Sequence, residues 1–296
     1  MFFRKFLLKG VLKMRKSLIT TAVLGALAAP SFVFAADAAP APDLTVAYNV
    51  GLYSQYIFRG LTQTNNKPAL QGGVDLTHSS GLYLGAWGSN ISWLTDGTGA
   101  GETKYYKSGG SLELDIYGGY RHTFSSGLGI DIGALQYYYP GTRENALPKA
   151  NTTEIYGALS YGWVQAKFSD VVSNSAWGFG KLATDRDTSS ARGTYYAELN
   201  ATIPIGDLIG KNAEFMSGVT GLVHVGHQDF DAGKTNDPAS YSDYKLGLQK
   251  AFASGVNVGA YWTDTNNKYT SAFTTWKYDG KNIGDSTGTV FVQKTF

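Results

Sequence analysis

From residue 44 onward the chain alternates apolar and polar residues with a period of two, in segments longer than most soluble strands. Successive side chains of a strand point to opposite faces, so this pattern predicts strands with one greasy and one polar side. In the run from Leu112 to Arg121, Leu112, Leu114, Ile116 and Tyr120 share one face. Glu113, Asp115, Tyr117 and Arg121 share the other. The split recurs where Leu128, Ile130 and Ile132 oppose Asp131, and where Tyr195, Ala197, Leu199, Ala201 and Ile203 oppose Glu198 and Asn200. About twelve such segments start near Leu44, Ala69, Leu82, Leu112, Leu128, Thr152, Val164, Thr194, Phe215, Tyr244, Val256 and Thr289. Most approach the ~9–11 residues of a tilted membrane strand rather than the ~5–6 of a soluble one.

The two faces differ in charge. Only Lys250 and Lys294 interrupt the apolar faces, both near predicted strand ends. There a cation costs ~0–1 kcal/mol, against roughly 2–4 kcal/mol at the bilayer midplane. The polar faces carry Asp75, Glu113, Asp115, Arg121, Asp131, Glu154, Lys167, Glu198 and Lys245. Twelve long apolar faces exceed what one packed core of this size uses. A barrel that is greasy outside and wet inside accounts for them. The low charge, 16% against the roughly 25% usual in soluble domains, combines with a mean hydropathy of −0.17 in the same sense. The apolar surface is spread thinly.

The connections alternate in length. Short turns are expected at 78–81, 124–127, 161–163 and 252–255, most of them ending in Ser-Gly, which suits tight hairpins. Longer loops are expected at 60–68, 90–110, 140–151, 173–192, 229–241 and 264–288, with a medium turn at 206–213. Short periplasmic turns and long extracellular loops are the outer-membrane pattern. The fold class expected is all-β: a transmembrane up-and-down antiparallel β-barrel over 44–296, of about twelve strands, with periplasmic termini.

The N-terminus reads as an export signal. A basic stretch ends at Arg15-Lys16, an apolar core runs from Leu18 to Ala29, and Val33-Phe34-Ala35 supplies a small-residue cleavage site. Residues 1–35 are read as a cleaved signal peptide, with Met14 a second candidate start, and 36–43 as a proline-rich periplasmic tail. An uncleaved anchor is the alternative. The absence of cysteine excludes thiolate metal sites, Cys nucleophiles and a lipidated-cysteine anchor. The first 35 residues hold six bases and no acid. Removing them leaves 19 bases against 23 acids, a net of −4. That balance argues against nucleic acid as a partner. No cofactor is indicated.

Aromatics cluster near predicted strand ends: Tyr53, Tyr56 and Phe58; Tyr137, Tyr138 and Tyr139; Trp163; Trp262. Interfacial girdles and ordinary sheet packing are equal readings of them. The chain ends in Phe296, with Val290 and Val292 on the same face of the last segment. A C-terminal aromatic on an amphipathic strand resembles the signal by which the barrel assembly machinery receives its clients. Lys294 departs from that pattern.

The run Tyr53-Ser54-Gln55-Tyr56-Ile57-Phe58-Arg59-Gly60-Leu61-Thr62-Gln63-Thr64, followed by Pro68-Ala69-Leu70-Gln71-Gly72-Gly73-Val74-Asp75, resembles the TorF family of proteobacterial porins, once known only as conserved proteins of unknown function. The run from Gly81 to Asn90 and the terminal Lys294-Thr295-Phe296 extend the likeness. Its specific part covers about 50–93, and beyond that it is mainly barrel pattern. The resemblance implies an outer-membrane barrel of a Gram-negative bacterium with transport activity. It carries over no catalytic residue and no substrate.

The function expected is passive diffusion of small polar solutes, with outer-membrane lipid around the barrel. Arg59, Asp75, Glu113, Asp115, Arg121, Asp131 and Glu154 are the candidate pore-lining residues, because they lie on polar faces or beside the first loop. A salt-bridge network filling a narrow barrel is the competing reading, since roughly eight strands leave room only for side chains and sixteen leave a channel. Arg59, next to Gly60, either sits at a pore mouth or pins the first loop to the wall. Two alternatives stand beside the channel: a non-conducting barrel whose outer loops bind a ligand or surface, and a lipid-modifying enzyme. Of the four histidines, His227 suits the enzyme by position, though no serine partner follows from spacing. The odd separation of His224 and His227 puts their rings on opposite faces, a poor spacing for a shared zinc ion. No catalytic or metal-binding residue is assigned.

Overall fold

A computed structural model of the chain describes residues 43–98, 103–144, 149–180, 190–209, 214–230, 239–267, 277–278 and 280–296. The expected signal peptide and nearly all of the tail lie outside them. Twelve strands form one closed antiparallel barrel: β1 Leu44–Tyr53, β2 Ala69–His78, β3 Leu82–Asn90, β4 Leu112–Thr123, β5 Leu128–Tyr138, β6 Thr152–Tyr161, β7 Val164–Val171, β8 Tyr195–Ile203, β9 Val219–Asp229, β10 Tyr241–Ala251, β11 Val256–Thr265 and β12 Thr287–Thr295. Each strand pairs with its neighbours in sequence, and β12 closes on β1. Closure leaves the barrel itself no open edge. The seam is short. Five registered pairs join β1 to β12, from Asn49↔Thr295 to Tyr53↔Phe291, against ten between β1 and β2. Phe296 extends the seam by donating its amide to Tyr48 O at 2.9 Å.

The period-two alternation maps onto the two surfaces as expected. On β4, Leu112, Leu114 and Ile116 are exposed on the outer surface, while Glu113 and Asp115 are buried inside. Outward leucines, isoleucines and valines recur around the barrel, including Leu52, Leu84, Ile132, Leu159, Leu199, Leu246, Val258 and Val290. This is the inverse of a soluble β-protein, in which the exposed face is polar. The two cations of the outer face lie at the terminal end, where β1 begins and β12 ends. Lys250 donates to Phe215 O at 2.6 Å, and Lys294 to Ser254 O. Asp170, Asp229 and Asp264 share the outward parity at the opposite rim, an acidic feature beyond the two lysines.

The turns at the terminal end are short, and glycines at 81, 127, 162 and 255 have positive φ there. The medium connection holds a short helix, Ile205–Ile209, and a 3-10 turn, Glu214–Met216. Phe215 therefore lies in this turn and does not start a strand. β9 begins at Val219, after Gly218 with φ +75° has reversed the chain. β10 begins at Tyr241, three residues before the expected start.

The long connections fold over and into the other end. A two-residue hairpin, Ile57–Phe58 with Leu61–Thr62, lies in the first of them. Pieces of the β3–β4 and β11–β12 connections join in a four-stranded sheet, and Tyr106–Gly109 pairs with Gly141–Arg143. The buried core sits inside the barrel at this end, where Tyr56, Ile57, Phe58 and Leu61 pack with Trp87, Tyr137, Tyr139 and Ile283. This corrects the girdle reading for Tyr53, Tyr56, Phe58, Tyr137 and Tyr139. All five are buried inside: Tyr56 and Phe58 because the first connection turns inward, and Tyr53, Tyr137 and Tyr139 because they share the inward parity of β1 and β5. Tyr138, Trp163 and Trp262 are exposed on the outer surface, where a girdle would lie.

Candidate functional site

The lumen at the long-loop end is organised by residues 54–68. Arg59 and Gly60 take positive φ, +47° and +79°. A Cβ on Gly60 would meet Asp243 Cβ at 2.5 Å and Thr265 Cγ2 at 2.6 Å, so only glycine lets the loop lie this close to the wall. The left-handed Arg59 is a strained non-glycine residue, held by what its side chain reaches.

That side chain crosses to the far wall. Its Nη2 donates to Glu154 Oε2 on β6 at 2.8 Å, and its Nη1 to Gln228 Oε1 on β9 at 2.7 Å. Both partners of the ion pair are 1% exposed at the side chain. The guanidinium lies 4.2 Å from the Tyr196 ring, 4.9 Å from Phe58 and 5.1 Å from Trp177. Burial works against the Arg59 charge, but the Glu154 carboxylate outweighs it and raises its pKa above the ordinary value. Of the two expected placements for Arg59, the structure shows the second: it pins the inward-folded loop to the barrel wall.

Tyr56 anchors the loop on the opposite side, donating to Glu113 Oε1 at 2.6 Å. Burial, then the charges of Glu113 and Asp115, push the Tyr56 hydroxyl well above its usual pKa, so it stays a donor. Two further bonds interlock the connections: Thr62 donates to Ile283 O, and Ser92 to Gln63 O.

Further along the lumen lie the other expected residues. Asp131 accepts from Tyr83 Oη at 2.6 Å, and Arg121 stacks 4.0 Å from the Tyr83 ring with Asp131 at 3.9 Å. Asp75 accepts from Tyr117 Oη at 2.6 Å. All seven candidates thus lie inside the barrel. Arg59, Glu113, Asp115, Asp131 and Glu154 are buried, while Asp75 and Arg121 are half-buried.

A second network was not anticipated from the sequence. On β8–β10, His224 sits between Asn200 Oδ1 at 2.6 Å and Asp243 Oδ1 at 2.9 Å, and Tyr196 Oη donates to Asp243 Oδ2 at 2.7 Å. Gly226 makes room for it, since a Cβ there would meet Tyr196 Oη at 2.0 Å. Lys167 and Lys245 lie over the Tyr156 and Tyr261 rings, at 4.2 and 5.0 Å. Glu198, Lys167 and Lys245 show in the alternation as polar-face residues. Asp243 shows only once β10 is known to begin at Tyr241.

Outside the barrel, His227 and His224 point to opposite faces, as their spacing requires. His227 Nδ1 lies 3.0 Å from Ser242 Oγ, its registered partner on β10. The pair borders a shallow outer groove of about 530 Å³ floored by Gly157, Ala166 and Ala197. The serine is a cross-strand neighbour 15 residues away, which no local spacing reveals. Among the described residues, no hydrogen bond orients His227 Nε2.

No curated protein matches the chain. Among solved structures, the KdgM porin is similar over 85% of this chain and 98% of its own, at 8% identity and a TM-score of 0.44. The NanC porin is similar over 85% and 99%, at 10% identity and a TM-score of 0.45. The outer membrane protein OprD from Pseudomonas aeruginosa is similar over 85% and 65%, at 13% identity and a TM-score of 0.36. A family model described as a bacterial protein of unknown function, Gcw_chp, matches residues 37–296. The chain belongs to the Gcw_chp family.

Proposed function

We propose that this protein is a porin-like channel of a Gram-negative outer membrane, passing small polar solutes passively down their gradients. The observation that carries this reading is the inversion of the barrel: ionisable and hydrogen-bonding side chains line the lumen while the outer surface is leucine, isoleucine and valine. Lipid would meet the outer face, the terminal end would lie in the periplasm, and Phe296 would present the seam to the barrel assembly machinery. The resemblance of residues 50–93 to TorF porins supports the same reading. The inward loop crosses the lumen, where Arg59 bonds Glu154 and Gln228. Toward the terminal end, Asp75, Tyr117, Arg121, Lys167 and Glu198 are half-buried, which leaves room for water. The candidate pore-lining residues are the seven named from the sequence.

Purified protein reconstituted in planar bilayers should give discrete conductance steps. Their absence at every voltage, with the barrel shown to be folded, would remove the channel and leave the loop-binding alternative.

The His227–Ser242 pair favours a second reading, a lipid-ester hydrolase acting from the outer face. A serine nucleophile needs a base, and the base needs an orienting group, which His227 does not show. We expect His227→Ala to leave phospholipid hydrolysis at background in vesicles; a clear drop in release of fatty acid would restore this reading.

A further inference from the structure

We propose that the lumen selects cationic over anionic solutes, with Glu113, Asp115 and Asp75 setting the preference. This rests on the channel reading above and adds the solute class.

The inference comes from which lumenal charges are already compensated. Arg59 is bonded to Glu154 at 2.8 Å, and Arg121 faces Asp131 at 3.9 Å. Lys167 and Lys245 lie in the fields of Glu198 and Asp243. Among the described residues, four lumenal cations thus face four carboxylates. Three further carboxylates, Glu113, Asp115 and Asp75, face the same lumen, and the hydrogen-bond partners of Glu113 and Asp75 are tyrosine hydroxyls. Glu113 accepts from Tyr56 and Asp75 from Tyr117, each at 2.6 Å. Asp115 is 5% exposed, and its Oδ1 finds no hydrogen-bond partner among the described residues.

The three lie on one stretch of wall. Glu113 and Asp115 alternate inward on β4, and Tyr117, next on that face, carries the track to Asp75. Asp75 registers with Gly85, and Gly85 with Tyr117, so β2 and β4 meet across a side chain of zero length. Uncompensated carboxylates in a confined lumen attract cations and repel anions. Even at the dielectric constant of bulk water, one carboxylate about 8 Å from the path favours a monovalent cation over an anion by roughly fivefold.

The test is the reversal potential of single channels in a KCl gradient. We expect wild type to prefer K⁺ over Cl⁻ by at least about fivefold. Glu113→Gln with Asp115→Asn keeps side-chain shape and the acceptor for Tyr56, and should lower that ratio several-fold while the steps persist. Asp75→Asn, half-buried on a different strand, should lower it too and supplies the reading if the double variant fails to insert. Steps with no cation preference in wild type, or a ratio unmoved by the neutral variants, would overturn the inference and leave the channel standing. No steps at all would remove the channel and the inference with it.

Discussion

Arg59→Ala should free the first loop from the lumen. The substitution leaves the Glu154 carboxylate buried with its cation gone, and breaking a buried ion pair from one side costs roughly 3–5 kcal/mol. It also removes the cation from between Phe58, Trp177 and Tyr196, while the left-handed backbone at position 59 loses what holds it. The effect should concentrate on residues 54–68, because the twelve-strand ladder does not depend on this contact. The Gln63 amide, bonded to Tyr56 O at 2.7 Å, reports on loop closure. Its hydrogen exchange should speed up by about 10²–10⁴-fold, while strand amides keep their protection. Removing the acid as well, with Glu154→Leu in the Arg59→Ala background, should restore part of the loss, since no orphan charge then remains. Unchanged exchange at Gln63 would mean that the loop is held by its apolar contacts alone.

Ile116→Lys should destabilise the barrel by roughly 2–4 kcal/mol when unfolded by urea from phospholipid vesicles. Ile116 points outward from the middle of β4 and is 57% exposed, so its side chain would meet the hydrocarbon centre. Tyr161→Lys is the matched control. Tyr161 is as exposed but ends β6 at the terminal rim, where a lysine reaches the interface at ~0–1 kcal/mol. Equal stability of the two variants would show that the outer surface does not face lipid.

The barrel was legible because alternation is a local signal. Nine of the twelve strand starts named from the sequence coincide with the observed ones, from Leu44 to Val256, or differ by a single residue at Tyr195. Two of the other three have physical causes in the structure, while β12 begins at Thr287, two residues before the expected Thr289. Phe215 and Met216 are apolar and stand just before Val219, yet the positive φ of Gly218 turns the chain before β9 can begin. At the start of β10, Tyr241 and Asp243 face inward beside a long connection, where nothing marks a boundary. The site was legible in its residue types but not in its pairings. Arg59 stood out beside Gly60, while its partners Glu154 and Gln228 lie 95 and 169 residues away. Tyr56 and Phe58 look like girdle residues because aromatic type and strand-end position are the same for both fates. Only the inward fold of the loop separates them.

The short seam between β1 and β12 bears on how such a chain assembles. Every other pairing joins neighbours and can zip as a hairpin, paying little loop-closure entropy. This one must bring together the first and last strands, and it has half the ladder of β1 with β2 to reward the meeting. The cylinder is therefore expected to exist first as a curled ribbon with two free margins, sealing last and unsealing first.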